Sequence, residues 1–139
     1  MRCLAFACLF ATATTLPATL KAESASWKPV QGEWHQIASN AGTCADCRIL
    51  VANNGADFTV KSNNGWSATV RQSFSQGKTF IAGKGSWDQT SGAYGGKPFF
   101  LNLGLKGDQL LMLMTVPGRD GTLQNIQAIF ERTAISGRT

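Results

Sequence analysis

The sequence predicts an all-β fold: an antiparallel up-and-down barrel of about eight strands. Three observations carry that prediction. Short runs alternate apolar and polar residues, as half-buried strands do. Tight-turn devices separate them, notably Asn53-Asn54-Gly55, Asn63-Asn64-Gly65 and Lys106-Gly107-Asp108, within a chain of 139 residues that holds fifteen glycines. No stretch keeps a helical period long enough for a βαβ crossover, which disfavours parallel sheets. A two-sheet β-sandwich is the competing arrangement. The barrel is favoured because every connection reads as a hairpin and closing the sheet leaves no unpaired edge.

Residues 1–22 read as a secretory signal peptide: Met1-Arg2 gives a positive start, and Leu4 to Leu20 is apolar or small and uncharged. Cleavage is placed after Ala22, with Ala18 and Ala25 as alternatives. The run is too short and threonine-rich for a stable membrane span. Its removal takes away Arg2 and Lys21 and no acid, lowering the formal charge from +5 to +3. The remaining cations are scattered singly, so no nucleic-acid groove is expected. Cys3 and Cys8 leave with the signal, and Cys44 and Cys47 remain for a secreted or periplasmic, oxidising setting.

Residues 23–30 have no period and contain Pro29, so they read as an extended N-terminal arm; its Trp27 either plugs a barrel end or is carried to a partner. The barrel domain is placed at 31–133 and a C-terminal tail at 134–139. The first run sets Gly32, Trp34, Gln36 and Ala38 on one face. Cys47–Ala52 and Asp57–Ser62 follow, then Trp66–Arg71. Phe58, Val60, Trp66, Ala68 and Val70 share the inward parity, while Asp57, Thr59, Lys61, Thr69 and Arg71 face out. Thr79–Trp87 is interrupted by Gly83 and Gly85, which suggests a bulge or bend. Asp88–Lys97 is the longest loop, and its Tyr94 reads as a lid residue or a loop anchor. Pro98–Leu105 and Gln109–Val116 pair through a tight turn. In the last run Ile126, Ala128, Phe130 and Arg132 share a face.

Gly32-Glu33-Trp34 on the first strand, with an inward-facing Arg132 on the last, resembles the signature of calycin barrels, the group of lipocalins, fatty-acid-binding proteins and avidins. The physical basis is that first and last strands are neighbours in a closed barrel. There Gly32 lets the chain bend, and the Arg132 guanidinium can stack on the Trp34 ring while donating to backbone carbonyls. Gly32-Glu33-Trp34 followed by Gly55-Ala56-Asp57-Phe58-Thr59 also looks a little like avidin, although the avidin ligand-contact pattern has no residue-by-residue match here. In size, export and architecture the chain is similar to the periplasmic inhibitors of bacterial metalloproteases, whose N-terminal arm enters the protease cleft and whose disulfide joins more distant cysteines.

Cys44-Ala45-Asp46-Cys47 is the one motif that suggests special chemistry. Redox pairs of this spacing open a helix that lowers the thiol pKa. Here a strand follows, so a structural disulfide stapling the turn is favoured over a redox or metal role; zinc would have only His35 as a further ligand nearby. His35 has outward parity, the acids are spread out, and no nucleophile–base pair is suggested, so no catalytic residue, metal or cofactor is expected. Leu110, Met112, Met114 and Val116 form one stripe, with Leu111 and Leu113 opposite. This reads as barrel core with a covered outer face, or as flexible methionines lining a pocket. The functional expectation is an exported, non-enzymatic barrel that binds a small hydrophobic or amphipathic molecule, with Trp34, Trp66, Phe99, Met112 and Met114 as candidate lining. The alternative is a protein-binding module or protease inhibitor acting through its arm, Trp27 and loops. A filled, purely structural barrel is a third possibility.

Overall fold

A computed structural model describes residues 30–133; the signal sequence, Trp27 with most of the arm, and the tail 134–139 lie outside the described residues. Eight antiparallel strands run in chain order around a closed barrel: β1 (Gly32–Ser39), β2 (Arg48–Asn53), β3 (Phe58–Ser62), β4 (Trp66–Ser75), β5 (Lys78–Trp87), β6 (Pro98–Lys106), β7 (Gln109–Pro117) and β8 (Leu123–Arg132). β1 pairs with both β2 and β8, which closes the barrel and excludes the two-sheet sandwich.

Alternation in the sequence becomes an inside and an outside. Phe58, Val60, Trp66, Ala68 and Val70 are buried, as are Leu110, Met112, Met114 and Val116. These join Trp34, Phe99, Leu101, Leu103 and Phe130 in one core. A buried aromatic or branched side chain of this kind contributes roughly 1.5–3 kcal/mol relative to its exposed state. The opposite face of β7 carries Leu111 and Leu113 outward, beside Ile129 of β8 and Phe80 of β5.

At the end where the chain enters and leaves, Val30 is fully buried and its carbonyl accepts a 2.8 Å hydrogen bond from Trp34 Nε1. Trp34 lies opposite Arg132 in the β1–β8 ladder. The Arg132 guanidinium stacks 4.2 Å from the Trp34 ring centroid and donates through Nη1 to the Gln31 carbonyl. Arg132 shares the inward face but is solvent-exposed, because it is the last residue of β8 and caps the barrel end instead of entering the core. Gly32 has φ +116°, and a Cβ there would stand 2.6 Å from Arg132 Nη1, so both backbone and contact require glycine.

Three expectations are corrected by the pairing. First, the β1–β8 register shifts between Gln36 and Ala38, leaving Ile37 as a bulged residue. Ala38 therefore lies opposite the outward Ile129, and Ser39 opposite the buried Ala128, so Ala38 does not share the face of Trp34. Second, β5 passes Gly83 and Gly85 without a register shift. The glycines answer close packing: a Cβ on Gly85 would sit 2.5 Å from the Phe99 ring. Third, β4 and β5 run beyond the expected Arg71 and Thr79 to Ser75 and Lys78, forming a hairpin turned by Gln76 (φ 50°) and Gly77 (φ 73°). Its outer part pairs only with itself, because the pairing of β4 with β3 ends at Val70 and that of β5 with β6 ends at Ile81. Phe74 on that projection is 73% exposed.

Candidate functional site

The opposite barrel end is formed by the loops after β1, β3, β5 and β7, and it is open. Between the loop carrying Cys44 and Cys47 and the glycine-rich loop 88–97 lies a cavity of about 280 Å³. Its apolar wall is made by Trp66, Trp87, Tyr94, Met112, Met114, Ile126 and Phe130, and Gln36, Ser39, Ser62 and Asn64 supply neutral polar groups. Trp66, Met112 and Met114 thus meet at one cavity. Trp34 and Phe99 do not line it; they belong to the packed core beneath and beside it.

The strands position this wall by register. Trp66 opens β4 and lies directly opposite Trp87, the last residue of β5. Trp66 packs edge-to-face on Phe99 (5.6 Å, 88°) and on Trp87 (6.5 Å, 64°). Trp87 and Phe99 meet at 6.3 Å, also edge-on. Such pairs add roughly 0.5–1.5 kcal/mol each beyond the area they bury. A short 3-10 turn at Gly92–Tyr94 lays the Tyr94 ring over Trp87, with centroids 5.1 Å apart and planes at 24°. Tyr94 is therefore both loop anchor and cover over the mouth. Trp87 Nε1 is buried and has no hydrogen-bond partner among the described residues. An unsatisfied buried donor costs about 1–3 kcal/mol. Trp87 was not singled out from the sequence, although its parity with Ile81 and its place just before the glycine-rich loop were available signals.

Small polar side chains hold the rim. Cys44 and Cys47 form a disulfide, with Cα atoms 5.5 Å apart, and Cys47 is buried. Asn63, in the β3–β4 turn, ties the disulfide loop down: Oδ1 accepts from Arg48 N at 2.8 Å and Nδ2 donates to the Asp46 carbonyl at 2.6 Å. Ser91 Oγ donates to the Gly65 carbonyl at 2.9 Å, fastening loop 88–97 to the same turn. Asn40 bridges the end of β1 to β8, accepting from Gln127 N and donating to the Asn125 carbonyl. His35 Nε2 lies 2.9 Å from the Ala45 carbonyl, which can only accept, so Nε2 carries the proton.

The electrostatics of the mouth are quiet. The lining holds neither a carboxylate nor an imidazole, and its one cationic residue, Arg48, sits opposite His35 on the outer face, 3.6 Å from Glu33. Resolved pKa shifts lie elsewhere. Arg71, hydrogen-bonded to Asp57 at 2.6 Å, holds that carboxyl below its ordinary range, and hydrogen bonds from Thr122 do the same for Asp120. Among the described residues, no group of three or more His, Cys, Asp or Glu is placed to hold a metal ion, and no helix is long and apolar enough to cross a membrane.

A second concavity, about 510 Å³, lies on the outer wall between Phe80, Leu111, Leu113 and Ile129, over Gly104. It is larger than the mouth and is bounded by β5, β6, β7 and β8 and by Ala38, Ser39 and Asn40 at the end of β1. The sequence matches no protein-family model and no curated protein.

Proposed function

We propose that this protein is an exported, non-enzymatic binding protein of calycin-like architecture that takes a small hydrophobic or amphipathic molecule in its barrel mouth. The observation that carries this reading is the aromatic- and methionine-walled cavity at the open end of a barrel whose described interior is otherwise packed. Its volume of about 280 Å³ lies at the low end for small-molecule pockets, which suits a compact ligand and not a long acyl chain. Methionines on the wall let it adapt to ligand shape. The non-enzymatic part rests on a lining without a general base. Export is supported by the character of residues 1–22 and is compatible with the Cys44–Cys47 disulfide.

The test is native mass spectrometry of protein purified from its own exported fraction without reductant. A mass equal to the chain lacking residues 1–22 and two hydrogens, with a small-molecule adduct, is the expected result. Met112→Trp, which fills the mouth, should remove the adduct. An adduct that survives this change sinks the mouth reading.

One observation favours a second reading, a protein-binding module or inhibitor. The β4–β5 hairpin projects from the closed end and leaves Phe74 73% exposed. Isolated exposed aromatics on such projections suit protein contacts. This reading predicts partner capture that is lost in Phe74→Ser or on deletion of residues 23–29, with the fold intact. The deletion must spare Val30, whose burial and bond to Trp34 belong to the barrel.

A further inference from the structure

The Trp87–Tyr94 stack has two unlike sides. On the barrel side Trp87 is fixed edge-on by Trp66 and Phe99, both on strands. On the loop side its ring face is covered by Tyr94 alone of the described rings, in nearly parallel stacking. Tyr94 stands in a glycine-rich segment, with Gly92 and Gly96 at φ 60° and 71°. Its hydroxyl reaches Gln124 Oε1 only at 3.5 Å, a weak tether. Lys97 Nζ lies 5.6 Å from the Tyr94 ring centroid. The loop backbone is bonded at Tyr94, whose carbonyl accepts from Lys97 N at 2.9 Å, so it is the weakly tethered Tyr94 ring that occupies a flat aromatic face inside the candidate pocket and can turn aside from it. The Trp87 Nε1 donor, buried without an acceptor, belongs to the same ring.

Resting on the mouth reading, we propose that the ligand is an uncharged, planar aromatic compound carrying a hydrogen-bond acceptor, and that it binds by taking Tyr94's place against Trp87. Planarity follows from the stacked geometry that Tyr94 already demonstrates. Neutrality follows from the lining: among the described residues its one charged member is Arg48, whose guanidinium is engaged by Glu33, so an ionic ligand would lose its hydration without a free counter-charge. The acceptor is met by the neutral polar side chains of the lining, Gln36, Ser39 and Asn64. Tyr94 is then a gate that competes with the ligand, not a contact that holds it.

The probe is coumarin, an uncharged planar bicycle with a carbonyl acceptor, titrated into 15N-labelled mature protein and followed by the indole N–H resonances. Trp87→Phe assigns the Trp87 signal, which should shift as the coumarin ring replaces the Tyr94 ring against its face. Tyr94→Ala should tighten coumarin by about three- to tenfold, because a competing stacked ring is removed. Trp87→Phe should weaken it while leaving the remaining dispersed spectrum of the folded barrel in place. Weaker binding in Tyr94→Ala, or no response of the Trp87 signal, overturns the proposal. Decanol, flexible and non-aromatic, separates the two levels. If decanol binds and Met112→Trp blocks it while coumarin does not bind, the ring class fails and the mouth reading survives. If neither probe binds, both fail.

Discussion

The two ends of this barrel are built from different materials. The closed end is sealed by large side chains in direct contact: Val30 fully buried, Trp34 bonded to the Val30 carbonyl, Arg132 stacked on Trp34, and Gly32 fitted beneath that guanidinium. The open end is laced by small polar side chains, Asn40, Asn63 and Ser91, that bond loop backbone to loop backbone around a cavity. Large side chains in direct contact stabilise through buried area and leave no room. Asparagine and serine bridges satisfy backbone groups with little volume, so they can frame a space without filling it. The fold is secured where first and last strands meet, and the far end frames a cavity.

Changes at each end should separate stability from mouth geometry. The largest effect is expected for Trp34→Ala, which opens a void in the closed end and should cost about 3–5 kcal/mol in denaturant unfolding. Next is Gly32→Ala. It forces a side chain into φ +116° against Arg132 and should cost about 1–3 kcal/mol while leaving the mouth resonances near their native positions.

The disulfide closes a loop of only three residues' separation, so replacing both Cys44 and Cys47 with Ser should cost at most about 2 kcal/mol. Its signature should instead be local: faster amide exchange in the disulfide loop and weaker ligand retention at the mouth. A global collapse comparable to that of Trp34→Ala would erase the distinction between the two ends. The smallest effect is on the outer surface. Because Asp57 has a folded-state pKa lowered by Arg71, its contribution is present above the unfolded value, near 3.9, and is lost as pH falls through the lower folded one. The pair is exposed, so Arg71→Ala should alter the acid limb of the stability–pH profile only slightly.

Much of the closed end was legible in the sequence. Trp34 and Arg132 could be placed as neighbours because closure joins first and last strands, and inward parity along β3, β4 and β7 followed from local alternation. The Ile37 bulge was not legible, since it is set by fitting β1 to β8 some ninety residues away along the chain. Nor was the projecting hairpin: Gln72, Phe74 and Thr79 extend beyond their neighbouring strands, so no core face imposes a pattern there. At the mouth, inward parity is enough to bring Trp66, Met112 and Met114 together, but parity alone does not separate them from Trp34 and Phe99, which the stagger places in the packed core, or single out Trp87.

By itself, then, the sequence determined the class of fold, the number and order of strands, and which side chains point inward. Strand alternation and turn chemistry are local, and each run carries its own signal. Only the tertiary structure decided how far along the axis each inward side chain sits. Depth depends on the stagger between strands, which no single strand encodes. That stagger put Trp34 and Phe99 in the packed core and Trp87 at the rim under Tyr94, leaving the cavity between them and the loops.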